Sequence, residues 1–225
     1  MTESITPAKE VETTQPRRFG LLLDIGQTIV LTVLIFFGIQ TFVAQPYQVE
    51  MLSMQSTLEP GQYVLVDKLT PRWASYRRGD IIVFRPPEAA GDAVPFIKRV
   101  IGIPGDTVEL RNGQVFVNDL ELDESYLYRD SEGQTEPTDP SIAGATQWHV
   151  AAGQLLVMGD HRQESSDSRG FGPIDVSDVI GRAWLRYWPL DAFGVLPTQL
   201  YPELAEAPRG RPMPHGIARR SVSSK

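Results

Sequence analysis

The chain has 225 residues, 28 acidic against 21 basic, a formal net charge of −7 and no cysteine. That balance excludes a nucleic-acid partner, which needs a net basic surface, and the missing cysteines exclude disulfides and thiolate nucleophiles. His149, His161 and His215 lack ligand spacing, so no metal site and no cofactor are expected.

In chain order, the first element is residues 25–44, IGQTIVLTVLIFFGIQTFVA, without one charged side chain. A helix needs ~20 apolar residues to cross a bilayer. The run is too long for the ~7–15-residue apolar region of a secretory signal, and Ala44-Gln45-Pro46 is a poor small-x-small cleavage site. An uncleaved single transmembrane helix is expected, with a buried core helix as the alternative. Lys9, Arg17 and Arg18 precede it, and no Lys or Arg occurs from Gln45 to Val64. The excess of positive charge belongs inside, so the N-terminus is expected in the cytoplasm and residues 46–225 outside it.

Short alternating or apolar runs then predict strands at Gln62–Lys68, Asp80–Phe84, Phe96–Ile103, Gln154–Met158 and Ile180–Trp188. Asn112-Gly113 between Val108–Arg111 and Gln114–Val117 is a strong hairpin signal. Asp130–Ala145, rich in Gly, Pro, Ser, Thr and acids, reads as a surface loop, and the tail from Pro197 as disordered. Trp184, Tyr187 and Trp188 suit either β-core packing or a membrane interface. The fold class is mainly β: one N-terminal transmembrane helix, then an extracytoplasmic β domain.

Without cysteine or metal, the candidate nucleophiles are hydroxyls, and these need a base. Strand alternation places Phe96, Lys98 and Val100 on one face and Ile97, Arg99 and Ile101 on the other. A lysine between Phe and Val is a candidate for desolvation, which lowers its pKa. A fall from ~10.4 to ~7–8 disfavours the ammonium by about 4 kcal/mol and leaves an amine able to deprotonate a serine. A solvated strand lysine is the plain alternative. Arg99 cannot shed its proton and should face solvent or a carboxylate. Taken alone, Ser53 also reads as a turn serine, and GDHRQESSDSRGFG as a polar loop held by Asp–Arg pairs. A Ser–His–Asp set from His161 and Asp160 is possible on residue types, but adjacent residues rarely point at one another.

Four blocks in order resemble type I signal peptidase, a membrane-anchored Ser-Lys protease family. They are Ser53-Met54-Gln55-Ser56-Thr57-Leu58, Arg78–Phe84 (RGDIIVF), Lys98–Asp106 (KRVIGIPGD), and Gly159–Arg162 with Ser165, Asp167, Ser168 and Arg169. They cover about Pro46 to Trp188. The resemblance implies Ser53 as nucleophile and neutral Lys98 as general base. It implies Ser165 hydrogen-bonded to the lysine, Asp160, Asp167 and Arg169 bracing that loop, and the Ser53 N–H at the oxyanion. Val49, Met54, Leu58, Val64, Val83, Phe96 and Ile97 match substrate clefts for small side chains.

Ser56 departs from the family proline, so a less rigid turn is expected there. Met51 replaces a serine that some members use as an oxyanion donor, and His161 replaces a common asparagine. The expected organisation is a cytoplasmic tail to residue 18, an anchor at 19–45, a catalytic domain at 46–196 with an insert at about 107–153, and a tail at 197–225. Expected partners are signal-peptide-bearing preproteins and the lipid bilayer of the cell membrane. The competing class is an inactive membrane-anchored β module that binds or assembles envelope components. Ser53 lies nine residues past Ala44, at most about 30 Å of extended chain, so the nucleophile is expected near the outer leaflet.

Overall fold

The computed structural model describes residues 18–69, 75–91, 94–140 and 144–206. Lys9, Arg17, His215 and the tail beyond Glu206 lie outside the described residues.

Helix α1, Arg18–Phe42, forms a unit of its own. Ile29, Val30, Leu34, Phe36 and Phe37 are each more than half exposed, and apolar side chains follow one another without a polar stripe. Thr28 Oγ1 donates to the Asp24 carbonyl and Thr32 Oγ1 to that of Thr28, each at 2.8 Å, so these hydroxyls are satisfied within the helix. Among the described residues no helix is long and apolar enough to cross a membrane. The helix closes at Phe42, earlier than the expected anchor boundary at residue 45, because Ala44–Gln48 is a strand.

The second unit is mainly β. Strand β1 is Ala44–Gln48, β2 Tyr63–Asp67, β3 Ile81–Phe84, β4 Phe96–Gly102, β5 Thr107–Arg111 and β6 Gln114–Val117. Next come β7 at Leu120–Glu121, β8 at Gln147–His149, β9 at Gln154–Met158, β10 at Ile174–Asp175, β11 at Val179–Trp188 and β12 at Gly194–Val195. The larger antiparallel sheet runs β1-β2-β11-β3-β4-β9-β10, with β12 also on β11. The smaller runs β7-β6-β5-β8. Pro46 fits β1 because an edge strand can spare the N–H that proline lacks. Asn112 and Gly113 take φ of 52° and 78°, both in the left-handed region that a two-residue hairpin loop demands.

β3 and β4 are central, which explains their near-continuous burial where β2 alternates. Three apolar clusters fill the unit. Val49, Met54, Leu58, Val64, Val83 and their neighbours form one beneath β2. Phe84, Phe96, Val100 and Ile174 anchor a second, and Ile101, Val108, Val117 and Leu156 a third, between hairpin and main sheet. The expected disorder from Pro197 does not begin there. Tyr201 and Leu204 are buried in the third cluster, on and beside a short helix at Pro202–Glu206. Their apolar area, spaced three apart on one helical face, holds the segment down.

Candidate active site

Ser53 sits in a 3-10 turn, Leu52–Met54, directly after the chain leaves β1. Val49 fixes this approach: its N–H donates to the Gln62 carbonyl, and its own carbonyl accepts from Gly61, both at 2.8 Å. Lys98 projects from β4, paired across to Ile82 of β3. Both side chains are buried, and Lys98 Nζ is 2.6 Å from Ser53 Oγ. Phe96 lies on the same strand face, with its ring centroid 4.9 Å from Nζ. Burial lowers the Lys98 pKa from 10.5 to about 8, with the charge of Arg169 acting the same way. Asp167 and Asp160 act in the opposite sense and keep it from falling further.

Arg99, next in sequence, points the other way and meets a carboxylate. Its Nε donates to Asp160 Oδ1 at 2.8 Å and its Nη2 to Asp160 Oδ2 at 2.6 Å. The guanidinium also reaches the Gly79 carbonyl at 3.0 Å and stacks 4.0 Å over the Tyr126 ring. Burial works against its charge, but the Asp160 carboxylate outweighs burial and holds the guanidinium above its ordinary range. Thr57, four residues past Ser53, joins this pair: its Oγ1 donates to Asp160 at 2.5 Å and accepts from Arg99 at 3.2 Å. The serine turn is thereby bolted to the strand that carries the lysine.

The loop after β9 supplies the remaining wall. Burial pushes the Asp167 carboxyl up. The two-pronged grip of Arg169, the Gly159 N–H and the Ser165 hydroxyl outweigh it, and the group ends below the usual range. Asp167 also caps the short helix α2, Ser168–Phe171, through the Arg169 N–H. Arg162 binds Glu124 and the Gly159 carbonyl. The expected hydrogen bond from Ser165 to Lys98 is not formed. The Ser165 hydroxyl donates instead to Asp167 at 2.7 Å, because that carboxylate is two residues away on the same turn.

Of the seven cleft residues expected, Val49, Met54 and Ile97 line the small cleft at Ser53, with Glu50, Met51, Val94 and Pro95 beside them. Leu58, Val64, Val83 and Phe96 are wholly covered in the apolar clusters. Alternation marks a residue as inward-facing but cannot separate a cleft wall from the core behind it. Glu50 and Pro95 carried no signal, since each is an exposed or half-exposed residue outside a strand.

Ser56 takes φ +84°. Proline is locked near −65°, so this turn follows a path that the family's proline cannot follow, and the departure goes beyond reduced rigidity. His161 makes no contact with the Ser53 hydroxyl. Its ring faces Gln55 and Glu136, which removes the Ser–His–Asp arrangement. Among the described residues no group of His, Asp and Glu is arranged to hold a metal.

Residues 22–188 match the family model described as signal peptidase, peptidase S26. A signal peptidase I of Leptolyngbya laminosa is 37% identical over 196 residues, covering 85% of this chain and 92% of that protein. Signal peptidase I P of Bacillus subtilis subsp. natto is 32% identical over 179 residues, covering 79% of this chain and 95% of the relative. A crystal structure of a signal peptidase I from Enterococcus faecalis V583 is 30% identical, covers 48% of this chain and 97% of that one, and superposes with a TM-score of 0.40. With most of its length matched by the family model and by full-length relatives, this chain belongs to the signal peptidase family of serine peptidases, peptidase S26.

Proposed function

We propose that this chain is a membrane-anchored endopeptidase that removes N-terminal signal peptides from exported preproteins, with Ser53 and Lys98 as its catalytic pair. The observation that carries this reading is the 2.6 Å contact between two buried groups, one of them a lysine held near pKa 8. In its neutral form the Lys98 amine accepts the Ser53 proton as Oγ attacks the scissile carbonyl. The resulting ammonium then protonates the leaving amine. The Ser53 backbone N–H faces the developing oxyanion, and Met51 offers no second donor.

The cleft beside Ser53 is small and walled by Val49, Met54, Val94 and Ile97, so it suits a small apolar side chain. β9 pairs with β4 from Arg99 onward, and among the described residues no strand pairs with Phe96–Lys98 on that side. An extended substrate can pair with that edge. The deciding experiment is cleavage of a synthetic preprotein by the detergent-solubilised chain and its Ser53→Ala variant.

The anchor is α1, with its N-terminus in the cytoplasm and residues 46–225 outside. Its apolar surface and the asymmetry of Lys9, Arg17 and Arg18 on its N-terminal side against no Lys or Arg from Gln45 to Val64 after it support this. Protease added outside spheroplasts should digest the β domain. Protection there, with digestion in inverted vesicles, would reverse the topology.

Gly159→Ala is expected to impair catalysis without replacing either member of the pair. A Cβ at 159 would lie 2.3 Å from Ser165 Oγ and 2.5 Å from the Ser53 carbonyl oxygen. The Ser53 backbone must shift, and misplacement of about 1 Å costs roughly 10²-fold in rate. Overpacking adds about 1–3 kcal/mol of destabilisation. Steady-state kinetics and thermal unfolding together check this. A variant with wild-type kcat would show that the turn yields freely.

A further inference from the structure

His161 is tied to the serine turn at two points. Its backbone N–H donates to the Ser53 carbonyl at 3.1 Å. Its ring Nδ1 lies 3.2 Å from Oε1 of Gln55, two residues past Ser53. The ring is itself fixed from two sides. Tyr128 stacks on it, with centroids 3.9 Å apart and planes 21° from parallel. Tyr128 is held in turn by its N–H on the Asp160 carbonyl at 3.1 Å.

On the other edge, His161 Nε2 is 3.4 Å from Glu136 Oε2, a buried oxygen with no hydrogen-bond partner among the described residues. Glu136 does not hang from a free loop. An isolated bridge joins Arg129 to Thr135. The carbonyls of Pro137 and Asp139 accept from Gln163 and Arg169. The imidazole is therefore the middle of a chain that runs from the 129–139 loop through the ring to the serine turn.

We propose that His161 is a positioning residue, which fixes the serine turn at Ser53 and Gln55 so that Oγ stays in line with Lys98. The turn needs such a fastening. Ser56 sits at φ +84°, a conformation that L residues adopt only when held there. Thr57 bolts the turn's far end to Arg99 and Asp160, but that contact lies past the strained residue. His161 acts on the near side of it. Both ring nitrogens face partners other than Ser53 Oγ, so the residue works through geometry and moves no proton in the reaction.

This inference rests on Ser53 being the nucleophile. Its test is a double-mutant cycle on preprotein cleavage by the full-length chain. His161→Ala and Gln55→Ala should each lower kcat by about three- to tenfold, less than the ~10² of a full ångström of misplacement, with KM unchanged within about twofold. The double variant should be no slower than the worse single, because both remove the same fastening. Losses that multiply, or that fall in KM, overturn the proposal, as does a Gln55→Ala variant with wild-type kcat. Where His161→Ala fails to fold, His161→Asn, too short to reach Gln55, takes its place in the cycle under the same criteria. Ser53→Ala in the same assay separates the two readings. Retained cleavage overturns the nucleophile assignment and this inference with it, whereas a dead Ser53→Ala beside multiplying losses overturns only the clamp.

Discussion

Lys98→Arg is expected to lower kcat for preprotein cleavage by at least about 10²–10⁴-fold, the usual contribution of a general base, with the loss exceeding any change in KM. The substitution keeps the charge and roughly the length. It removes the ability to be neutral, because an arginine stays protonated at any workable pH. The lysine differs because burial has brought it from 10.5 to about 8, which disfavours its ammonium by about 3 kcal/mol. On the proposed mechanism the active species is the deprotonated amine. The wild-type rate should therefore rise with pH through about 8 and flatten above it, well below the ordinary lysine range. A kcat–pH profile measures this directly. A Lys98→Arg enzyme within about tenfold of wild type would remove Lys98 as the base, since that gap is too small for a lost proton acceptor.

Ser53→Ala should abolish cleavage and leave the fold intact. The hydroxyl is a single atom on a buried turn, and the backbone contacts that hold the turn belong to Val49, Thr57 and His161. What remains is binding and oxyanion stabilisation without a nucleophile. Ser56→Ala is the matched control. Ser56 is exposed, and the contact at its φ +84° backbone, its N–H on Glu59 Oε1 at 3.4 Å, is one that alanine keeps. It should retain most activity. Near-ultraviolet circular dichroism and preprotein cleavage on both variants settle the assignment: a dead Ser56→Ala beside an active Ser53→Ala would place the nucleophile elsewhere.

The parts of the fold that were legible in the sequence are those governed by local rules. Asn112-Gly113 demanded two left-handed residues and closes a hairpin. The Gln154–Met158 strand has the predicted bounds. Alternation put Phe96 and Lys98 on one face, and the ring does sit beside the amine. The parts that were illegible depend on distant neighbours. Strand β1 hides behind a proline that reads as a breaker and is tolerated because, among the described residues, no strand pairs on its far side. The tail from Pro197 has no periodicity of note, yet Tyr201 and Leu204 meet an apolar surface made by distant residues between Ile101 and Met158. Gln55, Tyr128 and Glu136 gave no sign of belonging with His161, because they come from two separate irregular segments that meet the ring only through the tertiary fold.

One consequence of burying the lysine beside the serine concerns timing during biosynthesis. Ser53 and Lys98 are 45 positions apart in the chain. Until β3, β4 and the loop after β9 have closed around them, Lys98 is an ordinary hydrated ammonium near 10.5 and Ser53 an ordinary alcohol. Neither can attack a peptide bond at neutral pH. On the proposed mechanism an unfolded chain thus carries both groups in harmless form. Reactivity arrives only with the desolvation that the finished sheet imposes. On the proposed mechanism folding itself makes the base, and latency before folding is built in.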